Sequence, residues 1–150
     1  MAKASSLAAI DKLIERYEAL APLEEPLKAA ARAIIDAYHA GGKLLVCGNG
    51  GSAADAEHIT GELMKGFLLP RRLSEEAKKR FFDTCPEDAE YLTENLQEAL
   101  PAISLVNQIA LGTAFANDQA ADLVFAQQVY GLGKKGDILL AISTSGNSQN

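Results

Sequence analysis

Residues 43–63 of the chain have the sequence KLLVCGNGGSAADAEHITGEL. The first five form a short apolar run bounded by glycines, which is typical of a buried strand. A glycine-rich loop follows, and we expect a helix from Ser52 to about Lys65. A strand, a tight loop and a helix in this order indicate the first unit of an α/β sheet.

Two further apolar runs, PAISLV at 101–106 and DILLAI at 137–142, predict two more strands. Helical patterns cover about 107–115 and 121–130. Strands that alternate with helices favour a doubly wound parallel sheet. Ligands of such a sheet collect at the carboxyl ends of its strands.

Two amphipathic helices precede the first strand. Apolar residues recur at three- and four-residue steps from Leu7 to Leu20 and again from Leu27 to Tyr38, which places each set on one stripe of a helix. We expect Pro22 to end the first helix. Helices with no sheet of their own to cover favour packing between subunits, so we expect an oligomer.

Residues 71–100 differ in composition from the rest, with basic residues early and acidic residues later. We expect an inserted helical hairpin, broken near Cys85 and Pro86. The hairpin is either a solvated excursion or a lid or subunit contact, because its aromatic residues need a covering surface.

The composition is that of one soluble globular domain of 150 residues, 48% hydrophobic and 23% charged. No apolar run approaches the ~20 residues of a membrane span. A net charge of -6 disfavours binding to a phosphate backbone, so we expect no nucleic acid partner. Cys47 and Cys85 make neither a disulfide framework nor a metal pair, and the N-terminal segment lacks a signal-peptide pattern. We therefore expect a cytoplasmic location.

Two loops carry residues suited to chemistry. Residues 48–52 (GNGGS) bring backbone amides and a helix start to one place, which suits an anion or a polar sugar. A GxGxxA pattern at 48–53 raises dinucleotide binding as an alternative, but the required acidic residue is absent about 20 residues later. The loop at 143–148 (STSGNS) offers four hydroxyls for one phosphate, or is an ordinary serine-rich turn. Together the loops favour a phosphorylated, hydroxyl-rich small molecule.

His58 and Glu62 stand four residues apart and therefore on one face of the predicted helix, with Asp55 a turn earlier. Such a pair can give two ligands to a divalent metal, and the carboxylate can move a proton near a sugar carbonyl. A surface ion pair is the alternative.

Three segments resemble the sugar isomerase (SIS) domain: GNGGSAADAEHITGEL at 48–63, AFANDQAADLVFAQQV at 114–129 and LLAISTSGNSQN at 139–150. Within that family they are most similar to the phosphoheptose isomerases. The resemblance makes 1–150 a single SIS domain and leaves out only residues 71–100. It implies a homotetramer of flavodoxin-like domains with active sites between subunits. It also implies isomerisation of sedoheptulose 7-phosphate to glycero-manno-heptose 7-phosphate, by zinc-assisted proton transfer through an enediol.

The resemblance further implies roles for individual residues. Glu62 matches the carboxylate that transfers protons, and with His58 it matches two ligands of one zinc ion per site. The residues that match the substrate-binding positions are Asn49, Gly50, Gly51, Ser52, Glu62, Asn117, Asp118, Ser143, Thr144, Ser145 and Ser148.

The chain departs from the family pattern at three points. The family continues through a strand and helices that carry a Gln and a His of the zinc site, so these ligands are expected beyond residue 150 and the domain is expected to lack its C-terminal part. The helix that follows the phosphate loop is expected there too. The arginine that often follows the Glu-bearing helix is unmatched, because residues 65–67 are Lys, Gly and Phe.

Two other functions are compatible with the sequence. The first is binding to the bacterial replication initiator, because SIS relatives similar to this one are its tetrameric partners and an acidic surface suits a basic partner. The second is that of a sugar-phosphate sensor or of an isomerase of a different sugar.

Overall fold

A computed structural model of the chain describes residues 4–150, with side chains from residue 6 onwards. Its sheet has three parallel strands, β1 (Leu44–Gly48), β2 (Ala102–Ser104) and β3 (Ile138–Ile142), in the order β2-β1-β3. The first strand is therefore central, and Leu45 is the register partner of both Ile103 and Leu139. The predicted parallel α/β fold is confirmed.

Seven helices of the described chain surround this sheet. They are α1 (Ala4–Arg16), α2 (Glu24–His39), α3 (Gly51–Met64), α4 (Glu75–Thr84), α5 (Ala89–Asn95), α6 (Ile109–Asp118) and α7 (Val124–Leu132). Short 3-10 turns at Glu18–Leu23 and Ala121–Leu123 precede α2 and α7. Among the helices described, none combines the length and the hydropathy that a membrane crossing requires.

The core lies on both faces of β1, all of whose residues are buried. Because side chains alternate along a strand, Leu44 and Val46 face one side and Leu45 and Cys47 the other. The first pair packs with side chains of α2 and α3, and the second pair packs with side chains of α7. Helices on both faces make the sheet doubly wound.

The prediction that Pro22 ends the first helix is wrong. The helix α1 ends at Arg16, Tyr17 has a φ of -133°, and Pro22 lies inside the 3-10 turn that follows. A proline ring clashes with the carbonyl four residues before it, so an α-helix approaching Pro22 must end at least a turn earlier.

Residues 71–100 contain α4 and α5, with Cys85 ending the first of them. The Ser74 side chain caps α4, because its Oγ accepts a hydrogen bond of 3.2 Å from the Ala77 amide. At the base of the hairpin, Arg72 and Gln97 form an antiparallel bridge. We call residues 71–100 the insertion.

Candidate functional site

The two predicted loops leave neighbouring strands at the same edge of the sheet. Gly48 at the end of β1 is the register partner of Ile142 at the end of β3. The loops also touch, because Asn49 Nδ2 donates to Asn150 Oδ1 over 2.7 Å and Asn150 Nδ2 donates back to Asn49 Oδ1 over 3.3 Å. The carboxyl edge of a parallel sheet therefore presents both loops to one volume of solvent.

The first loop turns sharply into α3. A Cβ at Gly48 would lie 2.5 Å from the carbonyl oxygen of Ser52, so only glycine fits there. The Ser52 amide donates to the Asn49 carbonyl over 3.0 Å, and the Ser52 side chain is buried. Asn49, Gly50 and Gly51 are exposed, and the free amides of the helix start lie beside them.

The second loop curls back on itself and is exposed throughout. Ser143 Oγ accepts a hydrogen bond of 3.0 Å from the Gly146 amide and lies 3.4 Å from Ser148 Oγ. Ser145 Oγ accepts one of 3.2 Å from the Asn147 amide. Hydroxyls and backbone amides gathered in one short loop are suited to an anion.

A cavity of about 300 Å³ lies next to the first loop, between that loop, the segment after β2, and helices α6 and α7. Asn49 and Gly50 line it together with Gln108 and Thr113. The last two are not among the residues predicted from the sequence. Gln108 lies in the segment between β2 and α6, at the carboxyl end of β2, and Thr113 lies one turn into α6.

Asn117 and Asp118 lie at the end of α6, where both are exposed. Asn117 Nδ2 donates to Asp118 Oδ1 over 2.7 Å. The two residues stand about one turn beyond Thr113 and are absent from the lining of the 300 Å³ cavity. Their exposed side chains are therefore free to contact a ligand or a second copy of the chain outside this cavity.

His58 and Glu62 lie on one outward face of α3, as their spacing predicts. Nε2 of the imidazole is 3.8 Å from Oε1 of the carboxylate, and the side chains are 76% and 46% exposed. Since α3 begins at Gly51, the pair stands roughly 10 and 16 Å further along the helix axis. This surface is open to a second copy of the chain or to a further segment.

The pair fits two ligands of a zinc ion. Imidazole nitrogen and carboxylate oxygen are both common zinc ligands, and these two atoms lie 3.8 Å apart on one exposed face of α3. Within residues 4–150 no group of three or more His, Cys, Asp or Glu side chains is clustered for a metal. His58 and Glu62 would hold the ion only together with ligands from elsewhere.

Comparison with known proteins bears on this arrangement. A family model described as the SIS domain matches residues 7–79, which include β1, the first loop and α3. Over these residues the chain is similar to the SIS domain family. The sequence resemblance is thereby confirmed.

Relatives of this chain are named phosphoheptose isomerases. One from Thiobacillus denitrificans is 39% identical over 137 residues, covering 91% of this chain and 55% of the relative. One from Shewanella denitrificans is 37% identical over 135 residues, covering 90% and 56%. A solved phosphoheptose isomerase from Neisseria gonorrhoeae superposes with a TM-score of 0.61 at 32% identity, covering 97% and 59%. The chain spans a little over half the length of these relatives.

Proposed function

We propose that this chain belongs to an enzyme that interconverts a ketose phosphate and an aldose phosphate, with sedoheptulose 7-phosphate as the substrate and glycero-manno-heptose 7-phosphate as the product. The observation that carries the proposal is the meeting of the two loops at one sheet edge, through Asn49 and Asn150. The names of the relatives support the same reaction class.

In this proposal the serine-rich loop holds the phosphate. Ser143, Thr144, Ser145 and Ser148 are exposed and supply hydroxyl donors to the phosphate. A phosphate fixed at one end orients the sugar chain, so that its carbonyl end is delivered to one place. The exposed amide of Asn49 and the amides of Gly50 and Gly51 contact the sugar hydroxyls.

Glu62 moves the proton. Turning a 2-ketose into an aldose requires that a base remove a proton from C1 and that an acid return one to C2, through an enediol. The carboxylate of Glu62 is exposed and therefore accessible to a sugar held by a neighbouring copy of the chain. Zinc bound by His58 and Glu62 would polarise the sugar oxygens and favour the enediol.

A second copy of the chain completes the site in this proposal. His58 and Glu62 are exposed on α3 and do not line the cavity, and Asn117 and Asp118 are also exposed and absent from its lining. The helix α2 has no buried residue, and exposed apolar residues of the N-terminal segment offer a contact surface. We propose a homotetramer, in the cytoplasm, with a small-molecule substrate and no nucleic acid or membrane partner.

The test is to incubate the intact protein with sedoheptulose 7-phosphate, with added zinc and separately with a chelator. We expect an aldose phosphate to form when zinc is present and no aldose phosphate to form when the chelator removes the zinc. Absence of product from a zinc-loaded oligomer would reject the enzyme. Binding of the sugar phosphate without turnover would instead identify a sensor, and a thermal-shift panel of phosphosugars would then name its ligand.

A further inference from the structure

The insertion is tied to the end of the helix that carries Glu62. Arg71, its first residue, donates from Nη2 to the Leu63 carbonyl over 2.6 Å and to the Glu62 carbonyl over 3.2 Å. Leu100, its last residue, donates its amide to the same Leu63 carbonyl over 2.9 Å. Both ends of the insertion therefore meet at the last turn of α3.

Arg71 supplies a positive charge and hydrogen-bond donors to the C-terminal end of α3. The last carbonyls of an α-helix have no partner within the helix and carry a partial negative charge. The last turn of α3 contains no basic residue of its own. A guanidinium that donates to two of these carbonyls satisfies them and opposes the charge.

Further hydrogen bonds fix the position of Arg71. Its Nε donates to the Glu98 carbonyl over 3.0 Å, and its own carbonyl accepts the Glu98 amide over 2.8 Å. Gln97 Oε1 accepts both the Arg71 amide over 3.3 Å and the Gly66 amide over 3.2 Å. Tyr38 of α2 is close enough for the guanidinium to oppose the rise that burial causes in the tyrosine pKa.

The packing around Gly66 gives a reason for one departure from the family pattern. A Cβ at Gly66 would lie 2.5 Å from the Leu69 carbonyl oxygen and 2.9 Å from Gln97 Oε1. The base of the insertion therefore leaves no room for a side chain at position 66. Lys65 is exposed beside it, and the cation whose hydrogen bonds reach the last carbonyls of α3 is Arg71.

We propose that Arg71 is a positioning residue for Glu62, and that the insertion acts on the reaction through it. This inference rests on the proposed function. Glu62 lies in the turn whose carbonyls Arg71 holds, so the direction of its carboxylate follows the geometry of that turn. A fixed turn keeps the carboxylate beside His58, and a frayed turn lets it move away.

The main variant is Arg71→Ala, with Arg72→Ala as the matched control. Arg72 is an exposed neighbour of the same charge, whose backbone forms the bridge to Gln97. Val129→Ala, which affects packing on the opposite face of the sheet, controls for lost stability. Arg71→Lys keeps one ammonium donor and tests for rescue.

We expect Arg71→Ala to lower kcat by about tenfold or more with little change in KM, because small displacements of a reacting group slow the chemical step strongly. We expect zinc affinity, measured by competition with a chelator, to fall by roughly tenfold, as for other groups that orient a metal ligand. Backbone amides at the end of α3 should exchange with deuterium faster. Arg71→Lys should recover part of each loss, and the two controls should leave kcat and zinc affinity unchanged.

Unchanged zinc affinity and unchanged amide exchange in Arg71→Ala would overturn the inference, as would equal losses in Arg71→Ala and Val129→Ala. Zinc affinity and exchange need no substrate. If the wild-type protein turns over no sugar phosphate, the proposed function fails, while these two readouts still decide whether Arg71 positions Glu62.

Discussion

Asn49 and Asn150 exchange two side-chain hydrogen bonds although 101 positions separate them in the chain. The contact joins the loop after β1 to the end of the loop after β3. A ligand that touches one of these loops is therefore within reach of the other. This relationship supports one site over two independent turns.

The serine-rich loop is tested by Ser143→Ala. Ser143 Oγ accepts the Gly146 amide and neighbours Ser148 Oγ, so its loss removes a donor for phosphate and loosens the loop. We expect KM for the phosphosugar to rise about tenfold, the equivalent of roughly one hydrogen bond to a charged group. Steady-state kinetics measure this. Thr93→Ala, in the insertion and away from both loops, should leave KM unchanged, and an unchanged KM in Ser143→Ala would contradict the phosphate assignment.

The tight turn after β1 is tested by Gly48→Ala. The new Cβ would meet the Ser52 carbonyl oxygen at 2.5 Å, so either the loop or the start of α3 must shift. We expect the free energy of unfolding to fall by about 2 kcal/mol, as for other overpacked sites. Denaturant titration measures it. The control is Gly131→Ala in α7, where a Cβ meets nothing within 4 Å, and it should not lower the free energy of unfolding. Equal stability of the two variants would contradict the account of this turn.

Much of the fold could be predicted because it depends on local patterns. The apolar run at 43–47 and the loop after it predict β1 and the turn into α3, and the four-residue spacing predicts that His58 and Glu62 share a face. The predicted run at 101–106 is longer than β2, since the apolar residues Leu105 and Val106 continue past the last ladder pair. The run at 137–142 exceeds β3 only by Asp137 at its start.

The rest depends on contacts between distant residues. Nothing local to Arg71 indicates that its side chain reaches α3, because that contact requires the insertion to return beside the helix. The same holds for Asn150 beside Asn49. No local sequence motif indicates the cavity residues Gln108 and Thr113, because their place in the cavity depends on the adjacency of β2 and β1.

Asp137 predicts an acid dependence of stability. Its carboxylate accepts hydrogen bonds from the Lys43 ammonium and from the amides of Lys43 and Lys134, and these lower the pKa of Asp137 from 3.8 to about 2. A lowered pKa in the folded state means that the stabilisation is complete above the unfolded value near 4 and is lost as the pH falls through about 2.

We therefore expect Asp137→Asn to melt about 5 °C below wild type at pH 6, and the difference to shrink between pH 4 and pH 2. Calorimetry across this range measures it. Asp83→Asn on the exposed surface of α4 is the control and should melt like wild type. A constant difference between Asp137→Asn and wild type over the whole range would contradict the assignment.

A site shared between subunits predicts complementation. Two proteins should each be nearly inactive alone. One is the single variant Glu62→Gln, and the other is the double variant that combines Ser143→Ala with Ser145→Ala. When the two inactive proteins are dissociated and reassembled together, random mixing should restore about a quarter of the sites, because each site takes its loop and its carboxylate from different copies. Activity of the reassembled mixture measures this. No recovery from a mixture shown to contain mixed oligomers would mean that one copy supplies both parts.

Solvent deuterium incorporation tests the central claim most directly. The intact zinc-loaded protein is incubated with sedoheptulose 7-phosphate in deuterium oxide, and the C1 hydrogens of the ketose and the C2 hydrogen of the aldose product are followed by proton NMR. We predict that the wild-type protein exchanges one C1 hydrogen and forms an aldose with deuterium at C2, and that Glu62→Gln does neither although it still binds the sugar phosphate through the two loops. Equal exchange by the two proteins, or none by the wild type, would contradict the claim that the two loops present a phosphosugar to Glu62.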